Sequence, residues 1–458
     1  MKLISTFITS SLPHIPTAAL RMTMIDSATV FLGVLLLALV GGLSYYFVWK
    51  PAPSAPAPDP DPSVPKRTFS DPIHCAEILA GKSFDNIGNR LHRLESRAIP
   101  NERLVRAFGI NNAFTTTNED YARAFKAAAV KKIKMEDSDW ERIAVFAQRL
   151  VVDSVASSKS DHLDASLDSL VQSIALKLAL HVLFGLDPFE LDKDAIKRLA
   201  EGINNCWVYS KSSTTNAAEN LRITKVTVND ALTKLFPDID PSSSEDNPLN
   251  FILPAYETLW RIVLLCFIEV SFRQNRQAET VVWRKVLETF LTNPTQAAFE
   301  KSVTTEAGQS VSVSVSHLVS EGLRLYPPTR RIYRKYQLGD SSCIPEILAA
   351  DIEKMQRDPQ NWEDPLTFKP SRWLNINERA QSAFMPFGNN PFICPARKEF
   401  GPRMIGILVA ALACHINPEG LELWKNRSGD AESTLGNDEE ILTDRDMYEH
   451  WWLQRKRS

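Results

Sequence analysis

Cys394 closes the run Phe387-Gly388-Asn389-Asn390-Pro391-Phe392-Ile393-Cys394-Pro395-Ala396. A turn-rich loop delivers this thiol, and the apolar run Met404 to Leu412 follows it. A cysteine presented this way suits a soft axial ligand, a thiolate on haem iron. Such a ligand pushes electron density toward O–O cleavage. The other five cysteines, Cys75, Cys206, Cys266, Cys343 and Cys414, are scattered without a CxxC pair. That pattern favours free thiols over a disulfide framework and argues against a structural zinc site.

A site of this kind needs a large, dry scaffold. With 458 residues, the chain can bury one large core or two modest ones. Its 44% hydrophobic and 23% charged residues are those of a globular protein, and a formal charge of -3 offers nothing to nucleic acid. From Phe69 onward the pattern is mainly helical. Helices are expected over Glu141–Val155, Leu167–Phe184, Leu249–Val270, Ala278–Leu291 and Val313–Leu325, the last stopped by Pro327-Pro328. Short strand signals lie near Arg331–Gln337 and in residues 341–350. The fold class expected is mainly α with a minor β-sheet region.

Four stretches divide the chain. Residues 1–26 form a short polar segment. Residues 27–49, Ser27 to Trp49, carry no charge. As a helix these would be about 35 Å long, enough to span a bilayer with some tilt. Tyr45, Tyr46 and Trp49 crowd its end, as interfacial aromatics do. Residues 50–68 form a proline-rich linker, too stiff and too proline-dense for a helix. Residues 69–458 hold the chemistry. Lys50, Lys66 and Arg67 after the span, against Lys2 and Arg21 before it, favour a cytoplasmic body.

Three segments, in this order, resemble the cytochrome P-450 family, the haem-thiolate monooxygenases. The first is Glu321-Gly322-Leu323-Arg324 with Tyr326-Pro327-Pro328, where Glu321 and Arg324 share a helix face. The second is Arg357-Asp358-Pro359 with Phe368-Lys369-Pro370-Ser371-Arg372-Trp373, whose Arg372 the resemblance makes third member of a lock with Glu321 and Arg324. The third is the cysteine loop, in which Phe387, Gly388 and Cys394 fit the family pattern. Asn390 stands where a glycine is usual, and asparagine tolerates left-handed backbone. Phe392 stands where an arginine or histidine usually meets a haem propionate. The resemblance therefore sends the propionates to other cations, with Arg123, Lys126 and Arg330 as candidates.

Pro254-Ala255-Tyr256-Glu257-Thr258 is similar to the family's oxygen-activating motif at Glu257 and Thr258. Pro254 has no N–H, so the carbonyl of Asn250 loses its helical partner, and Thr258 can bond back to the Pro254 carbonyl. The expectation is a local kink, with Thr258 orienting protons and Glu257 feeding them from solvent.

The resemblance implies a cytochrome P-450 fold behind one N-terminal transmembrane helix, in a microsomal enzyme that looks like fungal ones of specialised (secondary) metabolism. It implies haem as cofactor, NADPH acting through a membrane-bound flavoprotein reductase, a lipophilic small-molecule substrate, and residence in the endoplasmic reticulum membrane. Two other readings stay open. One is a reductase-independent isomerase or dehydratase. The other is a catalytically degenerate, membrane-anchored haem-binding or interaction protein.

Overall fold

The computed structural model describes residues 66–156, 165–212, 214–273, 277–304, 312–340, 342–416, 420–424, 441 and 451–455. The expected span at 27–49, the segment before it and most of the linker lie outside the described residues. The linker's last residues do not: Lys66–Phe69 form a strand, β1.

The principal helices after it are α1 (Pro72–Ala80), α2 (Arg93–Ala98), α3 (Glu119–Lys132), α4 (Asp137–Ala156), α5 (Leu167–Phe184) and α6 (Lys193–Tyr209). They continue with α7 (Thr215–Leu235), α8 (Leu249–Ser271), α9 (Gln277–Thr292), α10 (Val315–Leu325) and α11 (Phe400–His415). The sequence marks several of their ends. Ser166 caps α5 by accepting from the Ser169 N–H, and Gly185 ends it in left-handed backbone. Asn118 caps α3 in the same way through the N–H of Tyr121.

The main sheet has the order β1, β3 (Glu346–Asp351), β2 (Arg331–Tyr336). β1 runs parallel to β3 with Lys66 opposite Ile347. β2 and β3 form an antiparallel hairpin with Arg331 opposite Asp351. Central strand β3 is buried at every position after Glu346, as a strand covered on both faces should be. Around this sheet lies a small core of Cys75, Ile78, Phe84, Tyr336, Leu348, Ala350 and Trp362.

The large core surrounds α8, which packs against α5, α10 and α11. α5 and α8 are long and apolar enough to cross a membrane, but both are mostly buried in this core. Close approach of α8 and α10 depends on Gly322, where a Cβ would overlap Sγ of Cys266. All six cysteines are free.

Candidate haem-thiolate site

The predicted lock is assembled. Glu321 and Arg324 are both fully buried. Oε1 of Glu321 accepts from Arg324 Nη2 at 2.8 Å, from the Lys369 backbone N–H at 2.8 Å and from Arg372 Nε at 3.0 Å. Oε2 accepts from Arg324 Nε at 2.9 Å and Trp373 Nε1 at 3.0 Å. Arg324 also donates to the carbonyls of Gln356, Pro365 and Thr367 at 2.8, 2.7 and 3.1 Å. A buried ion pair is tolerable only when its remaining donors and lone pairs are met in this way. The lock pins α10 to the 363–373 segment.

Gln356, fully buried, carries that anchorage to the cysteine loop. Its Nε2 donates to the carbonyls of Leu323 and Arg324 at the end of α10, at 2.9 and 2.8 Å. Its Oε1 accepts from the backbone N–H of Met385 at 3.0 Å. Two residues on, the loop begins. Gly388 takes φ +74°, a left-handed backbone that favours glycine. Asn390 is not among the positive-φ residues; it precedes Pro391 in a cis bond. A residue before proline is pushed to extended backbone, which is why Asn390 does not stand in for a left-handed glycine. The Cys394 N–H donates to the Phe387 carbonyl at 3.0 Å and closes the loop.

Cys394 is half-buried. Burial pushes its thiol up, while the backbone N–H of Ala396 and the charges of Arg97 and Lys126 pull the other way. A coordinated thiol would be deprotonated outright by its metal.

Next to this loop the structure places two arginines that the sequence reading missed. Arg97 on α2 lies over the Phe392 ring at 4.6 Å and over Phe114 at 4.5 Å. Arg334 on β2 lies 5.2 Å from the centre of the same Phe392 ring. Arg334 is 4% exposed, and its Nε is buried without a partner. Burial lowers Arg97 to about 9, with the charge of Arg334 adding to the fall. Burial likewise lowers Arg334 to about 10. Among the described residues neither forms an ion pair. One signal for Arg334 was available: Ile332, Arg334 and Tyr336 share a strand face, and that face turns inward.

The three cations expected for the propionates sit differently. Arg123 is exposed and paired with Asp120 at 3.2 Å. Arg330 is paired with Glu353 at 2.5 Å. Their carboxylate partners already neutralise them, which removes the reason for assigning them to an anion. Lys126 is exposed and contributes only its charge at Cys394.

Helix α8 is buried almost throughout, yet Phe251, Pro254, Ala255 and Thr258 remain partly accessible. These positions form one stripe at helical spacing, so packing leaves space along that face. Thr258 donates to the Pro254 carbonyl at 3.3 Å, the back-bond its sequence position suggests. Glu257, by contrast, is 4% exposed and lies off the stripe. One residue is about 100° of helix rotation, which turns Glu257 toward the core rather than along the stripe that carries Thr258. Two consecutive residues of α3 bear on this region. Phe125 stacks on Phe251 at 4.6 Å, and Lys126 acts on Cys394.

The opening at Pro254 is filled from another element. Asn112, fully buried, donates through Nδ2 to the carbonyl of Asn250 at 3.2 Å. Its Oδ1 accepts from the N–H of Phe114 at 2.9 Å, which seats the ring under Arg97.

Comparison with known proteins agrees with this architecture. The Cytochrome P450 family model matches residues 314–404, the segment from α10 to α11. Cytochrome P450 705A1 of Arabidopsis thaliana is 32% identical over 126 residues, 24% of this chain and 25% of that protein. Flavonoid-6-hydroxylase of Ocimum basilicum is 37% identical over 107 residues, 21% of this chain and 20% of that protein. The alignments thus span about a quarter or less of these relatives' length. Among solved structures, CYP175A1 from Thermus thermophilus superposes with a TM-score of 0.55 at 17% identity, covering 87% of this chain and 91% of that one. A six-coordinated cytochrome P450 from another strain of the same organism gives 0.53 at 15% identity, covering 85% and 92%.

The helical body with its minor sheet is the cytochrome P450 fold. Within that fold, residues 314–404 match the Cytochrome P450 family model, and part of the chain is similar to Cytochrome P450 705A1. The residues present fit haem. Cys394 supplies a thiol, and the buried, partnerless Nε of Arg334 together with the partly accessible Arg97 guanidinium on the same ring supplies positive charge for two carboxylates.

Proposed function

We propose that the protein is a haem-dependent monooxygenase that inserts one atom of dioxygen into an apolar organic substrate. The observation that carries this reading is the placement, on Phe392 of the Cys394 loop, of two guanidinium groups that no carboxylate neutralises among the described residues, with the charge of Arg97 felt at the thiol. Haem bound there would supply oxygen activation, which is the cofactor's own chemistry. Cys394 would be its thiolate ligand, with the Ala396 N–H directed at the sulfur. Arg97 and Arg334 would hold its carboxylates. The accessible stripe of α8 would border the reacting centre, with the Thr258 hydroxyl fixed by the Pro254 carbonyl and positioned to pass on a proton. Phe251 and Ala255 on the same stripe would keep the surroundings apolar.

Electrons would come from NADPH through a flavoprotein reductase. The relatives include plant enzymes titled as hydroxylases, which supports a lipophilic substrate and a place in specialised metabolism. The microsomal, fungal-type assignment rests on the sequence resemblance, as does the single N-terminal anchor at 27–49 holding residues 69–458 on the cytoplasmic face of the endoplasmic reticulum. Thr258 favours the oxygenase over a reductase-independent isomerase, which has no use for a proton donor of this kind. The test is turnover of lipophilic candidates with reductase, NADPH and isotopically labelled dioxygen. One labelled oxygen in the product supports the proposal. Product formed without reductase, carrying no label, would replace it with the isomerase reading.

A further inference from the structure

Phe392 occupies the position at which the loop would ordinarily offer a cation. We propose that its ring is a π plate that holds the guanidinium groups of Arg97 and Arg334 together as a receptor for a dicarboxylate edge. This deepens the haem reading above and rests on it.

Both guanidinium groups address one ring, Arg97 at 4.6 Å and Arg334 at 5.2 Å from its centre. Two cations on one ring repel each other, and the burial of Arg334 removes water that would screen the repulsion on its side. The negative face of an aromatic ring is the neutral group best able to offset that without neutralising either charge. A third cation at 392 would raise the repulsion. A carboxylate there would satisfy the arginines internally and close the site to an anion. Phenylalanine does neither. The rest of the setting keeps both arginines available. Arg97 is backed by Phe114 at 4.5 Å. Arg334 is tied by Nη1 to the Tyr333 carbonyl at 2.9 Å and by Nη2 to the Leu79 carbonyl at 3.4 Å, which leaves Nε without an acceptor.

Two buried arginines elsewhere carry their own carboxylates. Arg324 is paired with Glu321, and Arg273 with Glu269, at 2.8 and 3.0 Å. Only a ligand carrying two negative groups would balance the charge of Arg97 and Arg334 together. The two propionates of haem, on one edge of a rigid plane, are that chemistry. A carboxylate also matches a guanidinium in geometry.

The test compares haemin with haemin dimethyl ester, which keeps the plane and loses both charges. Each is titrated into the haem-free full chain and followed by quenching of tryptophan fluorescence. Wild type is expected to favour the diacid by at least about tenfold, equivalent to about 1.4 kcal/mol. Phe392→Leu, which keeps apolar bulk but removes the π face, should lose most of that preference while still binding the ester. Phe392→Tyr should retain it. Retention of the full preference by Phe392→Leu would overturn the plate. Equal affinity of wild type for acid and ester would overturn the receptor while leaving haem binding intact. Failure of both porphyrins to bind would sink the haem reading itself, and the receptor with it.

Discussion

Asn112 replaces, with its side chain, the backbone donor that Pro254 lacks. Its Nδ2 reaches the carbonyl of Asn250 at 3.2 Å, across 138 residues of chain. A buried carbonyl left unpaired costs about 1–3 kcal/mol. Asn112→Ala should therefore destabilise the protein by about that much. In a Pro254→Ala background the helix regains its own donor, and the same Asn112→Ala change should cost markedly less. Denaturant unfolding of the four proteins gives the coupling energy. Equal penalties in both backgrounds would mean that the bond does not act through the gap at Pro254.

Glu321 gathers five donors with no exposure to water. Removing it leaves Arg324 buried and uncompensated beside the half-freed Arg372. Glu321→Ala should cost about 3–5 kcal/mol. Calorimetry of the variant checks this, and a change under about 1 kcal/mol, well below the loss of a buried pair, would show that the lock is not what holds α10 to the following segment.

Thr258 is the hydroxyl on the accessible stripe of α8. Thr258→Ala should leave folding nearly unchanged, but raise the hydrogen peroxide released per NADPH consumed severalfold. Proton delivery by a positioned group is worth about 10²–10⁴ in rate. Peroxide and product are measured in the same reaction. Because Glu257 is buried off this stripe, Glu257→Gln should affect that ratio less than Thr258→Ala.

His74 is a pH-sensitive contact away from the site. Its Nδ1 meets Asp71 at 2.5 Å and its Nε2 meets Asp85 at 2.8 Å. The hydrogen bond to Asp71, with that to Asp85, raises the imidazole above its ordinary 6.5. A base whose folded pKa is raised adds stability that is fully present below about pH 6.5 and lost as pH climbs through the folded value. Wild type should therefore lose more melting temperature than His74→Asn as pH rises from about 6 to about 9. Parallel curves would remove His74 from the pH response.

Much of the helical frame was legible in the sequence because it is written locally. Leu167–Phe184 is observed with the expected bounds, since an apolar run sits between a capping serine and a glycine. The expected Leu249–Val270 extends one residue, to Ser271. Glu321, Arg324 and Arg372 were readable as a motif with a known geometry. Arg97, Asn112 and Gln356 were not, and Arg334 offered only the inward alternation of its strand. Each acquires its role from a partner distant in sequence, and an isolated arginine or amide does not announce that partner. Arg123 and Arg330 were as cationic as Arg97, but only the fold reveals that acids already neutralise them. Phe392 stands in the sequence where a cation is usual, and only the fold places two arginines on its ring.

The ferrous carbon monoxide spectrum of the purified full chain, compared with that of Cys394→Ser, tests sulfur ligation most directly. The wild type should show the strongly red-shifted Soret band of a thiolate-ligated haem, and the serine variant should lose it. A band in the ordinary position for wild type, or an identical spectrum for both proteins, would contradict a bond between Cys394 and iron.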